Sequence, residues 1–244
     1  RSKISTGGKV MDYSWFMPGH EKFLASFSFW FATAVMLAST VFFLVERSDV
    51  SAKWKTSLTV ASLVTGIAFW HYLYMSQMFL VGNQSPLALR YVDWFITVPL
   101  QIVEFYLILA AVTVVSRGLF WQLLIGSIVM LVGGFIGEAY QADYGMSGFI
   151  VGMLGWIYVL YLIFAGPASN VSQNSGNEAS QKAFNALRLV VLVGWSIYPI
   201  GYYLNMDGGG SDLTNIVYNF ADLINKAAFG LFIWAAAKSD TEKD

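Results

Sequence analysis

The chain has 244 residues, of which 57% are hydrophobic and only 12% charged, roughly half the ~25% charged fraction of soluble domains. Its 14 basic and 15 acidic side chains leave a net charge of −1, so it carries no basic footprint for nucleic acid. Cysteine is absent, which excludes a disulfide framework, thiolate metal sites and cysteine nucleophiles together. No metal site is expected, and a mean hydropathy of +0.57 points to a lipid bilayer as the partner of most of the surface.

A bilayer-crossing helix needs about 20 mostly apolar residues, because hydrocarbon offers backbone amides no partner outside the helix. Seven stretches meet or nearly meet that requirement. Residues 23–45 and 57–81 contain no Asp, Glu, Lys or Arg, and 91–115 contains Asp93 and Glu104. Residues 119–137 and 147–165 are again uncharged, 184–204 carries only Arg188, and 213–237 contains Asp222 and Lys226. The polar stretch 170–181 reads as a mobile loop, and Asp207-Gly208-Gly209-Gly210 as a flexible turn. The expected fold is an all-α membrane protein, a seven-transmembrane-helix bundle over 23–237, with tails at 1–22 and 238–244.

Orientation follows from the bias of Lys and Arg toward cytoplasmic loops. With the N-terminus outside, the cytoplasmic side receives Arg47, Lys53, Lys55, Arg117, Lys182, Arg188, Lys238 and Lys243. The other side receives Arg1, Lys3, Lys9, Lys22 and Arg90. The expectation is therefore an extracellular N-terminal tail and a cytoplasmic C-terminal tail.

An ionisable residue in mid-span costs about 2.5–3.5 kcal/mol on insertion scales, so each one is a functional hypothesis. Lys226 follows Asp222 by four residues, which places both on one helical face. Such a pair could simply tie helices together; the sharper reading is a lysine whose amine condenses with an aldehyde in an apolar pocket. The third stretch weighs toward chemistry. Arg90, Asp93, Thr97 and Glu104 fall within about 60° of one another at ~100° per residue, a polar stripe on an apolar helix. Glu104 lies about 16 Å along the axis from Asp93 at ~1.5 Å per residue. Two carboxylates at different depths, with a lysine between them on a facing helix, make a proton path.

The run Arg90-Tyr91-Val92-Asp93-Trp94-Phe95-Ile96-Thr97-Val98-Pro99-Leu100 resembles the helix C signature of the microbial rhodopsins, and within them the proteorhodopsins. Gly194-Trp195-Ser196-Ile197-Tyr198-Pro199 resembles their helix F motif, and Asp222-Leu223-Ile224-Asn225-Lys226 their retinal-attachment motif. The likeness extends from about Phe23 to Trp234. It implies that the 23–237 domain binds all-trans retinal, carried by Lys226 as a protonated Schiff base. Asp93 would be the primary counter-ion and proton acceptor, Asp222 the second counter-ion and Glu104 the cytoplasmic proton donor. Arg90 would hold the counter-ions anionic. Asp93-Thr97-Glu104 is the triplet of an outward, light-driven proton pump rather than of chloride-pumping, sodium-pumping or sensory relatives. Such a protein is a transporter of a bacterial inner membrane, not an enzyme.

The resemblance also makes His71 a partner of Asp93 that tunes its proton affinity. It places His71 and Trp30 near the interface of a homo-oligomer, a pentamer or hexamer. The chromophore pocket implied by the motifs contains Trp94, Trp195, Tyr198 and Tyr218, with Tyr72, Met130, Trp156, Pro199 and Asn225 as further members. Gln101 stands where green-absorbing relatives have Leu and blue-absorbing ones Gln, so a blue-absorbing form is expected. Glu138 is either a proton-release group or an exposed headgroup-level carboxylate. Gly133-Gly134 and Gly152-x-x-Gly155 permit close helix approach. The competing functions are a photosensory rhodopsin and a chromophore-free seven-helix receptor or transporter.

Overall fold

The computed structural model describes residues 13–206 and 211–242, and every regular element among them is helical. Among the described residues seven helices are long and apolar enough to cross a membrane. They are α1 (Phe23–Asp49), α2 (Ala52–Leu80), α3 (Leu87–Ala110), α4 (Arg117–Ala139), α5 (Gln141–Gln173), α6 (Glu178–Met206) and α7 (Asp212–Thr241). The seven-span bundle expected from hydropathy is the fold. An odd number of passes puts the start of α1 and the end of α7 on opposite faces, termed here the N-terminal and C-terminal faces. Arg1, Lys3, Lys9, the Asp207-Gly208-Gly209-Gly210 run and Lys243 lie outside the described residues.

Residues 170–181 differ from their expected loop. The chain turns at Gly166, re-enters helix with Pro167 in its first turn and continues to Gln173. After a short link, α6 starts at Glu178, with Asn177 Oδ1 accepting from the Ser180 N–H at 2.8 Å. Proline in a first turn forfeits no intrahelical donor, and asparagine satisfies an N–H that the helix start leaves orphaned. The polarity of this stretch marks the end of the bundle, not irregular backbone. α7 likewise continues helically through Thr241.

Burial divides the helices by role. Within their apolar windows α2, α3 and α7 are 56% buried, whereas α1, α4 and α5 are 28–33% buried. The charge-bearing α3 and α7 therefore run through the centre, while Leu24 and Phe27 of α1 or Trp121 and Ile125 of α4 face outward. On α3 the polar stripe is wholly interior: Arg90, Asp93, Thr97, Gln101 and Glu104 are buried, and Val92, Phe95 and Ile96 are exposed. In hydrocarbon the opposite register would strand two carboxylates without partners.

α4 and α5 approach along a glycine seam. A Cβ on Gly148 would sit 2.5 Å from Gly137 Cα, and one on Gly155 would sit 2.5 Å from Met130 N. These are backbone atoms that cannot swing aside, so small residues are required for this crossing. The seam brings α5 close enough for Phe149, Met153 and Trp156 to reach the central cavity described below. Gly148→Ala is expected to lower stability by about 1–3 kcal/mol, the usual penalty for overpacking. A reduced thermal unfolding midpoint in detergent would register it.

Candidate functional site

Lys226 sits in a wide, π-type turn of α7 (Leu223–Ala228) and is 2% exposed. Its Nζ donates to Asp93 Oδ2 on α3 and lies 3.2 Å from Asp222 Oδ2 one turn back on its own helix. Asp222 is fully enclosed by donors: Tyr72 hydroxyl on Oδ2 at 2.8 Å, and on Oδ1 the Tyr198 hydroxyl at 2.6 Å and Trp94 Nε1 at 3.1 Å. Asp93 is less fully satisfied. Its Oδ1 has no hydrogen bond of good geometry, and His71 Nδ1 on α2 lies 3.3 Å away while also 2.9 Å from the Ile67 carbonyl. The Thr97 hydroxyl donates at 3.0 Å to the Asp93 backbone carbonyl, not to its carboxylate. A buried cation requires a buried anion, and the asymmetry in hydrogen bonding distinguishes the two carboxylates. Both oxygens of Asp222 accept hydrogen bonds, and Asp93 retains an oxygen with none.

Arg90 lies toward the N-terminal face and touches neither carboxylate. Its guanidinium donates to Asn215 Oδ1 (3.0 Å), Asn219 Oδ1 (2.8 Å) and the Tyr72 hydroxyl (3.4 Å), and lies over the Tyr218 ring at 5.4 Å. It reaches Asp222 through the Tyr72 hydroxyl. Asn219 in turn donates to Ser28 Oγ at 2.9 Å, tying α7 to α1. Asn215 and Asn219 were not singled out by sequence reasoning. The available signal was their spacing, since residues 215, 219, 222 and 226 recur at helical intervals on one face of α7.

Glu138 is not an exposed headgroup-level carboxylate. It is 6% exposed, its two oxygens accepting from the hydroxyls of Tyr91 and Tyr218, each at 2.7 Å. The tyrosines of α3 and α7 reach across the bundle end and draw it inward.

A cavity opens from Lys226 between α3, α4, α5, α6 and α7. Of the implied pocket members, Trp94, Gln101, Met130, Trp156, Trp195, Tyr198, Pro199 and Tyr218 line it. Tyr72 and Asn225 do not. Tyr72 binds Asp222 from behind, and Asn225 Nδ2 donates to the Gly194 carbonyl at 2.9 Å. Tyr91, Phe149, Met153 and Tyr202 are lining residues the sequence reading missed. Single aromatics in spans are indistinguishable from packing until the helices are assembled.

The aromatic wall on α6 depends on unusual backbone. Pro199 has no N–H to give to the Trp195 carbonyl, and the Tyr198 N–H takes that place at 3.2 Å. The Gly194 carbonyl is thereby left for Asn225. A wide turn just before it, in which the Trp195 N–H reaches back to the Val190 carbonyl (3.0 Å), likewise frees the Val191 carbonyl for Trp156 Nε1 at 3.0 Å. Opposite, Gln101 Nε2 donates to the Asn225 carbonyl at 2.6 Å.

Glu104 lies on the same face of α3, toward the C-terminal side, and is fully buried. Neither of its oxygens has a partner of hydrogen-bonding geometry among the described residues; Ser57 of α2 is the hydroxyl facing it. Trp30 is exposed on α1, packed edge-on against Phe16.

These features define a seven-helix membrane protein with a buried lysine, flanked by two carboxylates, at the end of an aromatic cavity. The profile of the Bacteriorhodopsin-like protein family matches residues 23–239, and the chain belongs to that family, the microbial (type 1) rhodopsins. Within it the similarity is to proteorhodopsins. The chain is 52% identical over 217 residues to the green-light absorbing proteorhodopsin of Gamma-proteobacterium EBAC31A08, covering 88% of this chain and 86% of that one. It is 50% identical over 218 residues to the blue-light absorbing proteorhodopsin of Gamma-proteobacterium Hot 75m4, with the same coverage. The crystal structure of the blue light-absorbing proteorhodopsin from Med12 is 58% identical and superposes with a TM-score of 0.78 over 88% of this chain and 98% of that one.

Replacing Asn219 by Leu would strip Arg90 of its shortest acceptor. Losing a hydrogen bond to a buried charge costs about 1.5–3 kcal/mol, and the expected result is a correspondingly lower thermal midpoint. An unchanged midpoint would show that the Asn215 and Tyr72 contacts suffice.

Proposed function

We propose that this protein is a light-driven proton pump that uses all-trans retinal held on Lys226, moves protons outward across a bacterial inner membrane and absorbs in the blue. The observation that carries the reading is the buried lysine between Asp93 and Asp222, with a third carboxyl, Glu104, on the same face of α3 nearer the C-terminal face and without a hydrogen-bonding partner among the described residues. The cavity fits the cofactor: it is apolar, aromatic-walled and ends on a single amine, the donor chemistry that an aldehyde requires. Retinal bound there supplies the light absorption and the change of shape that alters the basicity of the nitrogen.

The residues of the chain do the rest. Asp222, fixed by Tyr72, Tyr198 and Trp94, keeps a permanent negative charge beside Lys226. Asp93 takes the proton from the Lys226 nitrogen through the contact the two already make. His71, at its second oxygen, adjusts how firmly Asp93 holds that proton. Glu104, in an apolar surround, is protonated at rest and returns a proton to the nitrogen from the opposite side. Arg90 with Asn215 and Asn219 closes the N-terminal side with fixed positive charge, and Thr97 braces the α3 backbone at Asp93.

Direction follows from topology. With the Lys/Arg bias placing the N-terminus outside and the C-terminus in the cytoplasm, Asp93 lies on the outer side of Glu104 and the net transfer is outward. The start of α1 and the end of α7 then lie toward the two aqueous phases, outer and cytoplasmic respectively. We further propose a homo-oligomer, pentameric or hexameric, with His71 and Trp30 at the protomer contact; Trp30 is exposed and the His71 side chain is partly exposed.

Blue absorption rests on Gln101. It lines the cavity and is pinned to the carbonyl of Asn225, the residue next to Lys226. A polar amide held at that end stabilises positive charge localised on the nitrogen, which is greatest before excitation, and so widens the energy gap. Gln101→Leu should shift the visible band of the retinal-reconstituted protein to the red; an unmoved band would remove the tuning role.

The pump is tested in cells expressing the protein with retinal. Illumination should acidify the medium, and a protonophore should abolish the effect. Glu104→Gln should slow return of the proton to the Lys226 nitrogen by at least about 100-fold, the scale of a lost general acid, followed by flash absorption. Recovery at the unaltered rate would overturn the donor assignment.

A further inference from the structure

If Glu104 is the internal donor, it must recover a proton from water on the C-terminal face, yet the resting structure seals it from that face. Phe105 beside it packs against Phe184 (5.6 Å between ring centroids) and Phe229 (6.1 Å). Three residues before Ser57, nearer the C-terminal face by about one helical turn, the indole of Trp54 is fully buried. What holds that indole is Asp240, near the end of α7 and itself 6% exposed.

Asp240 gathers donors from two other parts of the chain. Oδ2 accepts from Trp54 Nε1 and from Lys53 Nζ, each at 2.8 Å, and Oδ1 accepts from Asn177 Nδ2 at 3.1 Å. Asn177 is the residue that caps the start of α6. One turn on, Ser180 Oγ donates at 2.8 Å to the Ile108 carbonyl. That carbonyl is free because the Val112 N–H turns to Leu109 instead. Next to Asp240, Thr241 Oγ1 accepts from the Ser51 N–H at 2.8 Å. One buried carboxylate thus clasps the ends of α2, α6 and α7, with α3 joined through Ser180, on the C-terminal side of Glu104.

We propose that Asp240 is a positioning residue for proton uptake: by holding Trp54 and the Asn177 cap it closes the C-terminal face above Glu104, and release of this clasp admits the proton that recharges Glu104. The proposal rests on the donor reading of Glu104. No protein bond is made or broken in the step; hydrogen bonds to Asp240 open, and a proton passes from bulk water to the Glu104 carboxylate.

Asp240→Asn keeps the shape but offers one acceptor oxygen where three donors converge, and it removes the counter-charge of Lys53. Trp54→Phe keeps an aromatic plug and removes only the indole N–H. Both variants are measured in the retinal-reconstituted protein after a flash, with a pH-indicator dye for proton uptake and visible absorption for the earlier loss of the proton from the Lys226 nitrogen. Uptake should be faster by at least about threefold in each, the scale of one lost hydrogen bond, with the earlier step unchanged. A purely structural weld would lower the thermal midpoint and leave uptake at its original rate, and that result would overturn the proposal. Should Asp240→Asn fail to fold, the uptake rate of Trp54→Phe alone decides between the two outcomes. If Glu104→Gln slows recovery while the clasp variants leave uptake untouched, the clasp proposal fails and the donor reading stands. If Glu104→Gln has no effect, the donor reading fails first.

Discussion

One buried charge organises this molecule. Lys226 lies in the low-dielectric centre of a membrane bundle, where an unpaired ammonium would be prohibitively costly. It therefore demands anions, and Asp93 and Asp222 provide them from α3 and α7. Two anions on one cation leave an excess of negative charge, which Arg90 offsets at a distance through Tyr72 and the amides of Asn215 and Asn219. The polar column from Ser28 to Asp222 follows from that first placement. So does the burial of α2, α3 and α7 relative to the lipid-facing helices.

The same interaction accounts for the division of labour between two chemically identical carboxylates. Tyr72, Tyr198 and Trp94 saturate Asp222 with hydrogen bonds, whereas Asp93 keeps an oxygen whose nearest polar neighbour is His71. In the proposed function, environment, not residue type, is what separates a fixed counter-charge from a proton acceptor. Glu104 presents the extreme case, with no hydrogen-bonding partner at all among the described residues.

Charge scarcity made much of this legible in the sequence. Because so few ionisable residues fall within spans, Asp93, Glu104, Asp222 and Lys226 stood out, and helical spacing placed them on interior faces. The neutral partners stayed hidden. Asn215, Asn219, Tyr91 and Ser28 look like ordinary span residues until tertiary packing brings the asparagines to Arg90, Tyr91 to Glu138 and Ser28 to Asn219. Residues 170–181 misled for a related reason: polar composition marks both loops and helix ends at the membrane surface, and Pro167 and Asn177 were the local clues to helix. Motif position alone puts Tyr72 and Asn225 in the cavity wall, but each turns to a hydrogen bond one layer behind it.

The wide turns of α6 and α7 have a consequence for how sequence change can be tolerated. Each accommodates an extra residue, and carbonyls in them serve other helices: Val191 for Trp156, Gly194 for Asn225, and Asn225 for Gln101. The acceptors are backbone, so the side chain of Val191 is free to vary without breaking its bond, whereas a Cβ at Gly194 would collide with the Asn225 amide and Asn225 must keep the Nδ2 that it donates. Chain length is not free to vary. Deleting one residue from Val190–Gly194 would restore a regular helix and rotate everything beyond it by about 100°, carrying Trp195 and Tyr198 off the cavity. In this part of the molecule the number of residues, more than their identity, aims the aromatic wall.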